Sequence, residues 1–310
     1  MRAILKLVPE ETNINFIGLR KMAFVLSIAL IIGGLFVAFN QKLNFGIDFT
    51  GGTLVEIKTK AEVADIPAMR TELAELNIGA ISVQEFGASD EILIRIPQQE
   101  RDEAEQKEAM DQVRAVLEKH VDEYRRVEFV GPQVGAELIE AGSKALIYAL
   151  VGILLYIWVR FEWQFGVAAV VALAHDTLLT IGFFAVTQME FTLSTVAAVL
   201  MIAGYSINDT VVVFDRVREN MRKFKKKSLF DLFNLSINQT LSRTLMTSIT
   251  TLLALLALWQ FGGEVLRGFI NALIFGIVIG TYSSVFIATP ILLYIRPRGP
   301  GPEMKPSPST

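Results

Sequence analysis

The sequence has no cysteine in its 310 residues and only two histidines, His120 and His175. The lack of cysteine excludes disulfides and thiolate metal sites, and two histidines are too few for a typical zinc centre. Charged residues are also scarce, at 20%, whereas hydrophobic residues make up 52%. A soluble domain of this size carries more charge, so the composition predicts a membrane protein.

Six apolar segments have the length of a transmembrane helix. The first, residues 22–39, follows a basic N-terminal segment, residues 1–21, and shows no small-residue cleavage site. We therefore expect an uncleaved span rather than a signal peptide. The other five lie within residues 141–295, and each is near the roughly 20 residues that cross a bilayer core. They cover residues 143–159, 165–187, 191–214, 241–260 and 268–295.

Basic residues predict the orientation of these spans. Four precede the first span, seven lie in the segment 215–240 after the fourth, and three lie in the tail, residues 296–310. The loops on the other side carry almost none, so the positive-inside rule places both termini and the basic loop 215–240 in the cytoplasm. The tail is rich in proline and glycine, and we expect it to be disordered.

Residues 40–140, between the first two spans, are polar and have the size of one small domain on the exterior side. Their patterns predict elements in the order β-α-β-β-α-β, which is that of a ferredoxin-like domain. The sequence therefore predicts a membrane all-α protein of six transmembrane helices with one α+β ferredoxin-like domain between spans 1 and 2. The predicted elements are strand 52–58, helix 65–77, strands 80–86 and 91–96, helix 100–121 and strand 124–130.

A short amphipathic helix is predicted between the basic loop and the fifth span, in residues 228–243. Ser228 followed by Asp231 resembles a capping box at its start. Its large apolar residues are expected to lie in the membrane interface. They are Leu229, Phe230, Leu232 and Phe233.

Polar residues inside the apolar segments carry the main functional signal. An ionisable residue at the centre of a span costs roughly 2.5–3.5 kcal/mol and usually faces the interior of the bundle. Asn208 and Asp209 lie in the fourth span, and His175 and Asp176 lie midway along the third. The alternative that Asp209 only marks a helix end is disfavoured by the four apolar residues that follow it, with Asp215 as the better end.

Arg243, at the start of the fifth span, is the expected partner of Asp209. Antiparallel packing of the fourth and fifth spans would place the two residues at similar depth, and a carboxylate next to a movable arginine is a candidate proton site. The alternative is that Arg243 extends to the cytoplasmic surface. Polar residues at helical spacing around it predict a stripe that lines a hydrated interior. They are Ser236, Gln239, Thr240, Thr247, Thr250 and Thr251.

Residues around these acids have candidate supporting roles. Tyr205 and Ser206 lie one turn before Asp209 and are placed to hydrogen-bond it. His175 and Asp176 either take part in the proton pathway or tie helices together as a hydrogen-bonded pair. His175 and Ser206 on neighbouring spans also suggest an intramembrane serine protease, but the GxSxG-like turn of such nucleophiles is missing.

The segment "NFGIDFTGG", residues 44–52, forms the entry to the exterior domain. Its candidate functional residues are Gly46, Asp48, Gly51 and Gly52. A phosphate-binding loop is excluded because no GK[ST] follows and the next element is a strand rather than a helix. We expect a glycine turn that joins the first span to the first strand.

Four stretches resemble motifs of the SecF branch of the SecD/SecF family of bacterial protein-export membrane proteins. The resemblance extends over about residues 12–296, and the motif of the fourth span is the most specific. The stretches are "FGIDFTGGTLVEI", "GYSINDTVVVFDRVREN", "LSINQTLSRTLMTSITTLL" and "GIVIGTYSSVFIATPILLY".

The resemblance implies membership of the resistance-nodulation-division superfamily and SecD as a pseudo-symmetric partner. It implies association with the SecYEG translocon and a translocating preprotein, with YajC and YidC as further candidate partners. The family is understood to use the proton-motive force to assist late steps of translocation on the periplasmic side. Asp209 and Arg243 match the acid and the arginine implicated there in proton conduction, and SecD would supply a further intramembrane acid.

Together these observations predict a multi-pass subunit of the bacterial inner membrane that works, surrounded by lipid, as half of a proton-driven motor. We expect no enzymatic activity, no cofactor beyond the proton gradient, no metal and no nucleic-acid partner. The alternative is a non-conducting scaffold subunit of a translocon or of a transporter of the same superfamily, because buried ion pairs can be architectural.

Overall fold

Six long apolar helices and one antiparallel sheet make up the part of the chain described by the computed structural model, residues 12–98, 103–295 and 297. These residues form two compact units. The helical unit comprises the described residues within Met1–Leu43, Ile147–Met189 and Ala197–Thr310, and the sheet unit comprises those within Asn44–Leu146 and Glu190–Val196. The six helices confirm the prediction of a multi-pass membrane protein.

The elements follow one another along the chain with short connections. The first part contains α1 (Arg20–Gln41), α2 (Ile47–Thr50), β1 (Gly52–Thr59), α3 (Ile66–Ala74), β2 (Ser82–Phe86), β3 (Ala88–Ile96), α4 (Glu103–Leu117) and β4 (Val121–Val130). The second part contains α5 (Pro132–Arg160), α6 (Trp163–Thr187), α7 (Leu193–Lys223), α8 (Leu229–Phe261), α9 (Arg267–Ser283), a π-helical turn (Ser284–Ala288) and α10 (Thr289–Ile295). The segment from α9 to α10 is one continuous last span.

The sheet unit has four antiparallel strands in the order β2-β3-β1-β4. Alternate residues of the central strands, such as Val55 and Ile57 of β1, point toward α3 and α4 and are fully buried. Met69 of α3 and Val113 of α4 pack on them. This period of two on the strands and of about four on the helices is what a two-layer core requires.

The predicted order β-α-β-β-α-β is confirmed for the sheet unit. Helix α3 starts as predicted, since Asp65 Oδ1 accepts a hydrogen bond from the backbone N–H of Ala68 at 3.0 Å. The third strand is longer than predicted, because it begins at Ala88 rather than at residue 91. The start of the predicted helix 100–121 lies partly outside the described residues.

The centre of the helical unit is formed by α6, α7 and the last span. About half or more of the most apolar stretch of each of these helices is buried, whereas none of that stretch in α5 is. Phe165 of α6, Phe214 of α7 and Phe233 of α8 are completely buried at this centre. α5 therefore presents nearly its whole surface outward.

The prediction that the fourth span ends at Asp215 is wrong. Asp215 does not end the fourth span, because α7 continues to Lys223. The side chain of Asp215 instead pairs with Arg160 at 2.6 Å, and basic residues in the last turn of α7 favour its C-terminal dipole.

The predicted interfacial helix is the first part of a single helix, α8. Ser228 caps it by accepting a hydrogen bond from the backbone N–H of Asp231 at 3.1 Å, as the capping-box pattern indicates. Leu232 and Phe233, however, are buried in the core of the bundle rather than placed at a membrane surface. The side chain of Asn238 on the same helix also accepts from the backbone N–H of Ile14, so the N-terminal segment covers this part of α8.

Helices α1 and α6 approach each other at a pair of glycines. A Cβ atom on Gly34 would lie 2.8 Å from the Cα of Gly182, and one on Gly182 would lie 3.1 Å from the Cα of Gly34. Small residues at such a crossing let two backbones touch, which is a common way for membrane helices to pack.

We expect Gly34→Ala to lower the thermal stability of the purified protein, because the added methyl group would push α1 away from α6 at a cost of about 1–3 kcal/mol. Gly33→Ala is the matched control, since nothing lies within 4 Å of its position and alanine is the better helix former. Thermal unfolding in detergent measures both variants. Equal stability of the two variants would contradict this packing.

Candidate functional site: two buried carboxylates in the helical unit

Asp209 lies near the middle of α7 and is buried, with 6% of the residue exposed. Its Oδ1 accepts a hydrogen bond from Thr244 Oγ1 of α8 at 2.6 Å. Its Oδ2 accepts one from Ser284 Oγ, at the start of the π-helical turn. Hydrogen bonds to a buried carboxylate offset part of the cost of removing it from water. Asp209 therefore lies at the meeting point of three spans, with a hydroxyl donor on each oxygen.

Arg243 immediately precedes Thr244, which places it at the level of Asp209, but its side chain is exposed. Within the described part of the chain, it makes no direct ion pair with Asp209, and its charge acts on that carboxylate through space. In the isolated chain, therefore, Arg243 lies near Asp209 but does not contact it.

The predicted polar stripe of α8 divides into two faces, because residues four apart share one face of a helix. One face is buried and consists of Ser236 and Thr240, with Thr244, which the predicted stripe did not include, on the next turn. The other is exposed and consists of Gln239, Arg243, Thr247 and Thr250. In the isolated chain, therefore, only the first face lies in the interior, and Thr251 is half-buried. That the whole stripe lines a hydrated interior stays a prediction.

His175 and Asp176 of α6 form a second buried cluster, with 5% and 1% of each residue exposed. His175 Nδ1 lies 2.8 Å from Asp176 Oδ1, and His175 Nε2 lies 3.0 Å from Ser27 Oγ on α1. Asp176 Oδ2 accepts hydrogen bonds from Ser206 of α7 at 2.5 Å and from Ser283 of α9 at 2.8 Å. The pair thus links four spans.

Tyr282 holds the imidazole of His175 in place. The two rings stack with their centroids 6.0 Å apart. The Tyr282 hydroxyl lies 3.0 Å from Ser27 Oγ and donates to the carbonyl oxygen of Ala23 at 3.0 Å. Both ring nitrogens of His175 thus have a hydrogen-bonding neighbour, Asp176 at Nδ1 and Ser27 at Nε2, and Tyr282 contacts both the ring and Ser27.

The remaining candidate residues near Asp209 have other partners. Ser206 donates to Asp176, and Tyr205 donates to Ser248 Oγ at 3.2 Å, so neither supports Asp209 as predicted. Asn208 is exposed. The hydroxyl of Ser206 and the imidazole of His175 bind different groups, which is not the arrangement of a nucleophile and its base.

Sequence reasoning missed the hydroxyl residues that bind the two acids. Thr244 lies between Arg243 and Thr247 but is not part of the predicted stripe, and Ser283 and Ser284 lie in a segment predicted as an apolar span. The sequence carries only a weak signal for these hydroxyl partners. Serine and threonine at the depth of an intramembrane acid are candidate partners, but such residues also bind the carbonyls of their own helix.

The entry motif lies in the sheet unit and differs from a simple glycine turn. Its middle forms the single helical turn α2, after which Gly51 and Gly52 have φ values of 68° and 110°. A Cβ on Gly52 would lie 2.4 Å from the carbonyl oxygen of Ile96, so only glycine fits. Asp48 Oδ2 accepts a hydrogen bond from the backbone N–H of Leu193, the first residue of α7, at 2.9 Å.

Further contacts join the entry motif to the segment before α7, which belongs to the same unit. Gly46 N–H donates to the carbonyl oxygen of Phe191 at 2.9 Å. Arg95 pairs with Glu190 at 3.0 Å. Burial raises the pKa of the Glu190 carboxyl, and the Arg95 guanidinium opposes that rise. The motif therefore fixes the start of the helix that carries Asp209.

Two family models match the chain. Residues 111–298 match the family described as "Protein export membrane protein SecD/SecF, C-terminal". Residues 36–63, which include the entry motif, match "SecD/SecF GG Motif".

Similar proteins carry related names. The protein translocase subunit SecF of Rickettsia bellii (strain OSU 85-389) is 46% identical over 291 residues, covering 93% of this chain and 95% of its own length. That of Rickettsia felis is 46% identical over 93% of this chain and 94% of its own length. The crystal structure of SecDF from Thermus thermophilus, a translocon-associated membrane protein, has a TM-score of 0.84 and 35% identity over 94% of this chain. The present chain spans 40% of that SecDF chain.

We expect Thr244→Val to lower the stability of the purified protein by about 1 kcal/mol, because it removes a hydroxyl donor from Asp209 without changing the size of the side chain. Thr247→Val is the matched control on the next turn. Thr247 is exposed, and in the described part of the chain its hydroxyl bonds only to carbonyls of its own helix. Thermal unfolding in detergent compares the two. A loss of similar size in both variants would argue against a specific bond to Asp209.

Proposed function

Because the chain belongs to the SecD/SecF family of protein export membrane proteins, we propose that it is the SecF subunit of a SecD–SecF complex. In this proposal the complex uses the proton-motive force to assist protein translocation through the SecYEG translocon on the periplasmic side. The names of the similar subunits support the assignment to SecF. The 40% coverage of a SecDF chain agrees with a protein that forms one part of such an assembly.

The observation that carries the proton step is the position of Asp209. An ionisable residue in the interior of a membrane bundle is costly to bury, so it is a functional-site hypothesis by default. The carboxylate is buried among hydroxyl groups of α8 and the last span, with the cation of Arg243 at the same level. In our proposal Asp209 alternates between its protonated and ionised forms, and Arg243 favours the ionised form.

The exposed polar face of α8 supports association with SecD. In the isolated chain this face, with the guanidinium of Arg243, would lie against lipid, where a charge and several polar groups are unfavourable. A partner helix that covers the face would bury Arg243 beside Asp209. SecD is the partner that this proposal assigns, and by the resemblance it would contribute a further intramembrane acid.

The placement of the protein follows from its charges. We propose a multi-pass protein of the bacterial inner membrane with both termini and the basic segment 215–240 in the cytoplasm, according to the positive-inside rule. The sheet unit then lies in the periplasm as a ferredoxin-like domain, and its strand order supports that assignment. There it would act on the emerging preprotein.

The other partners in this proposal are the SecYEG translocon, with YajC and YidC as further candidates. The protein would make and break no covalent bond and would need no cofactor, since the proton gradient supplies the energy.

The second candidate function is a scaffold subunit that conducts no protons. The observation in its favour is that both acids bind hydroxyl groups of several spans and so contribute to helix packing. In this case Asp209 would hold the bundle together without changing its protonation.

Proton flux in vesicles that contain the chain and SecD tests the proposal. Asp209→Asn should reduce flux to the level of protein-free vesicles, because the amide cannot release a proton. Asp215→Asn is the matched control on the same helix. That carboxylate lies toward the surface and pairs with Arg160, the last residue of α5, so its loss should leave flux unchanged. Unchanged flux per assembled complex in Asp209→Asn, with weaker assembly, would instead support the scaffold.

A further inference from the structure

The two buried acids are connected through consecutive residues of the last span. Ser283 Oγ lies 2.8 Å from Asp176 Oδ2 and 3.1 Å from the carbonyl oxygen of Gly280. Ser284 Oγ contacts Asp209 Oδ2 and lies 3.0 Å from the carbonyl oxygen of Thr281. Each hydroxyl thus has two acceptors within reach, one carboxylate and one backbone carbonyl of the preceding turn.

A serine hydroxyl has a single proton to donate, so the two acceptors compete for it. An ionised carboxylate attracts that proton more strongly than a neutral carbonyl does. When the carboxylate takes up a proton, its own O–H can donate to the serine oxygen, and the serine proton becomes available to the carbonyl. Only O–H groups are involved, the added proton stays on the carboxyl oxygen, and each serine keeps its own hydrogen.

The competing carbonyls lie at a special place in the backbone. Gly280 and Thr281 occupy the last turn of α9, and the π-helical turn Ser284–Ala288 begins directly afterwards. The backbone N–H of Ser284 donates to Gly280, so a hydroxyl that turns to this carbonyl shares it with the helix. π-Helical turns are rare and often lie at functional positions.

We propose that Ser283 and Ser284 are positioning residues for the π-helical turn of the last span. When Asp176 or Asp209 is protonated, the hydroxyl of Ser283 or Ser284, respectively, turns from the carboxyl group to a backbone carbonyl and so changes the hydrogen bonds of that turn. In this proposal Asp176 binds and releases a proton, in addition to linking the helices through its hydrogen bonds. The part that concerns Asp209 rests on the proposed function, whereas the part that concerns Asp176 rests on the cluster itself.

Other ionisable groups face these acids and determine when they change form. His175 contacts Asp176 on α6, and Tyr282 on α9 stacks on His175. Arg243 on α8 acts on Asp209. In the described residues, no side chain of these groups hydrogen-bonds to the carbonyl oxygen of Gly280 or Thr281, so the hydrogen-bonded link to the π-helical turn depends on the two serines.

Amide hydrogen exchange of the last span, measured on the complex with SecD in vesicles, tests this link. Asp209→Asn and Asp176→Asn stand in for the protonated acids. In Asp209→Asn, Thr244 keeps the amide oxygen at the Oδ1 position, so the NH₂ group faces Ser284. We expect each aspartate variant to speed exchange in residues 284–289 about fivefold, the equivalent of one hydrogen bond.

The serine variants give the crossed readout. Ser284→Ala should abolish the response to Asp209→Asn and preserve that to Asp176→Asn, and Ser283→Ala should do the reverse. Ser206→Ala is the control, because the Ser206 hydroxyl also donates to Asp176 but makes no hydrogen bond to the carbonyls of Gly280 or Thr281 in the described residues. Alanine keeps the Cβ atom by which Ser206 packs on Gly280. If an alanine variant fails to fold, the cysteine variant keeps the volume with a much weaker donor and should reduce the same response.

Unchanged exchange in both aspartate variants, or responses that persist in both serine variants, would overturn the inference. Proton flux in the same samples separates this result from the proposed function. Flux lost in Asp209→Asn with exchange unchanged would reject only the serine link. Exchange altered with flux intact would reject only the proton role of Asp209.

Discussion

A carboxylate inside a membrane bundle needs hydrogen-bond donors, and no single helix can supply enough of them. This constraint organises the helical unit. Asp209 draws donors from α8 and the last span, and Asp176 draws them from α7 and α9 while His175 extends its cluster to α1. Because both acids depend on several spans, the arrangement of the helices and the state of the acids are linked. The centre of the bundle is therefore apolar except at two polar clusters, one around each acid.

The large features of the fold follow from simple patterns in the sequence. Apolar length gave six spans, and the periods of two and of about four gave the strands and helices of the sheet unit. The predictions that were wrong are those that inferred a helix end or a membrane-surface position from the polarity of neighbouring residues. Asp215 looks like a helix end, but an arginine on α5 pairs with it and the helix continues. Leu232 and Phe233 look like membrane anchors, but the rest of the bundle covers them.

The acids themselves could be selected from the sequence, whereas their partners could not. An aspartate between apolar residues is conspicuous, but a serine or threonine in the same setting is ordinary because it can bond to its own helix. Which hydroxyl reaches which carboxylate depends on how the helices cross and rotate. The close contact of Gly34 with Gly182 is an example of a crossing that fixes such a rotation, and no local pattern reveals it.

The hydrogen bond from Leu193 to Asp48 has a mechanical meaning. α7 is one uninterrupted helix of 31 residues, about 46 Å long at 1.5 Å per residue. Asp209 lies 16 residues after Leu193, about 24 Å along the same axis. Both residues lie on one continuous run of backbone hydrogen bonds. The Asp48 carboxylate therefore holds the first turn of the same helix that carries Asp209.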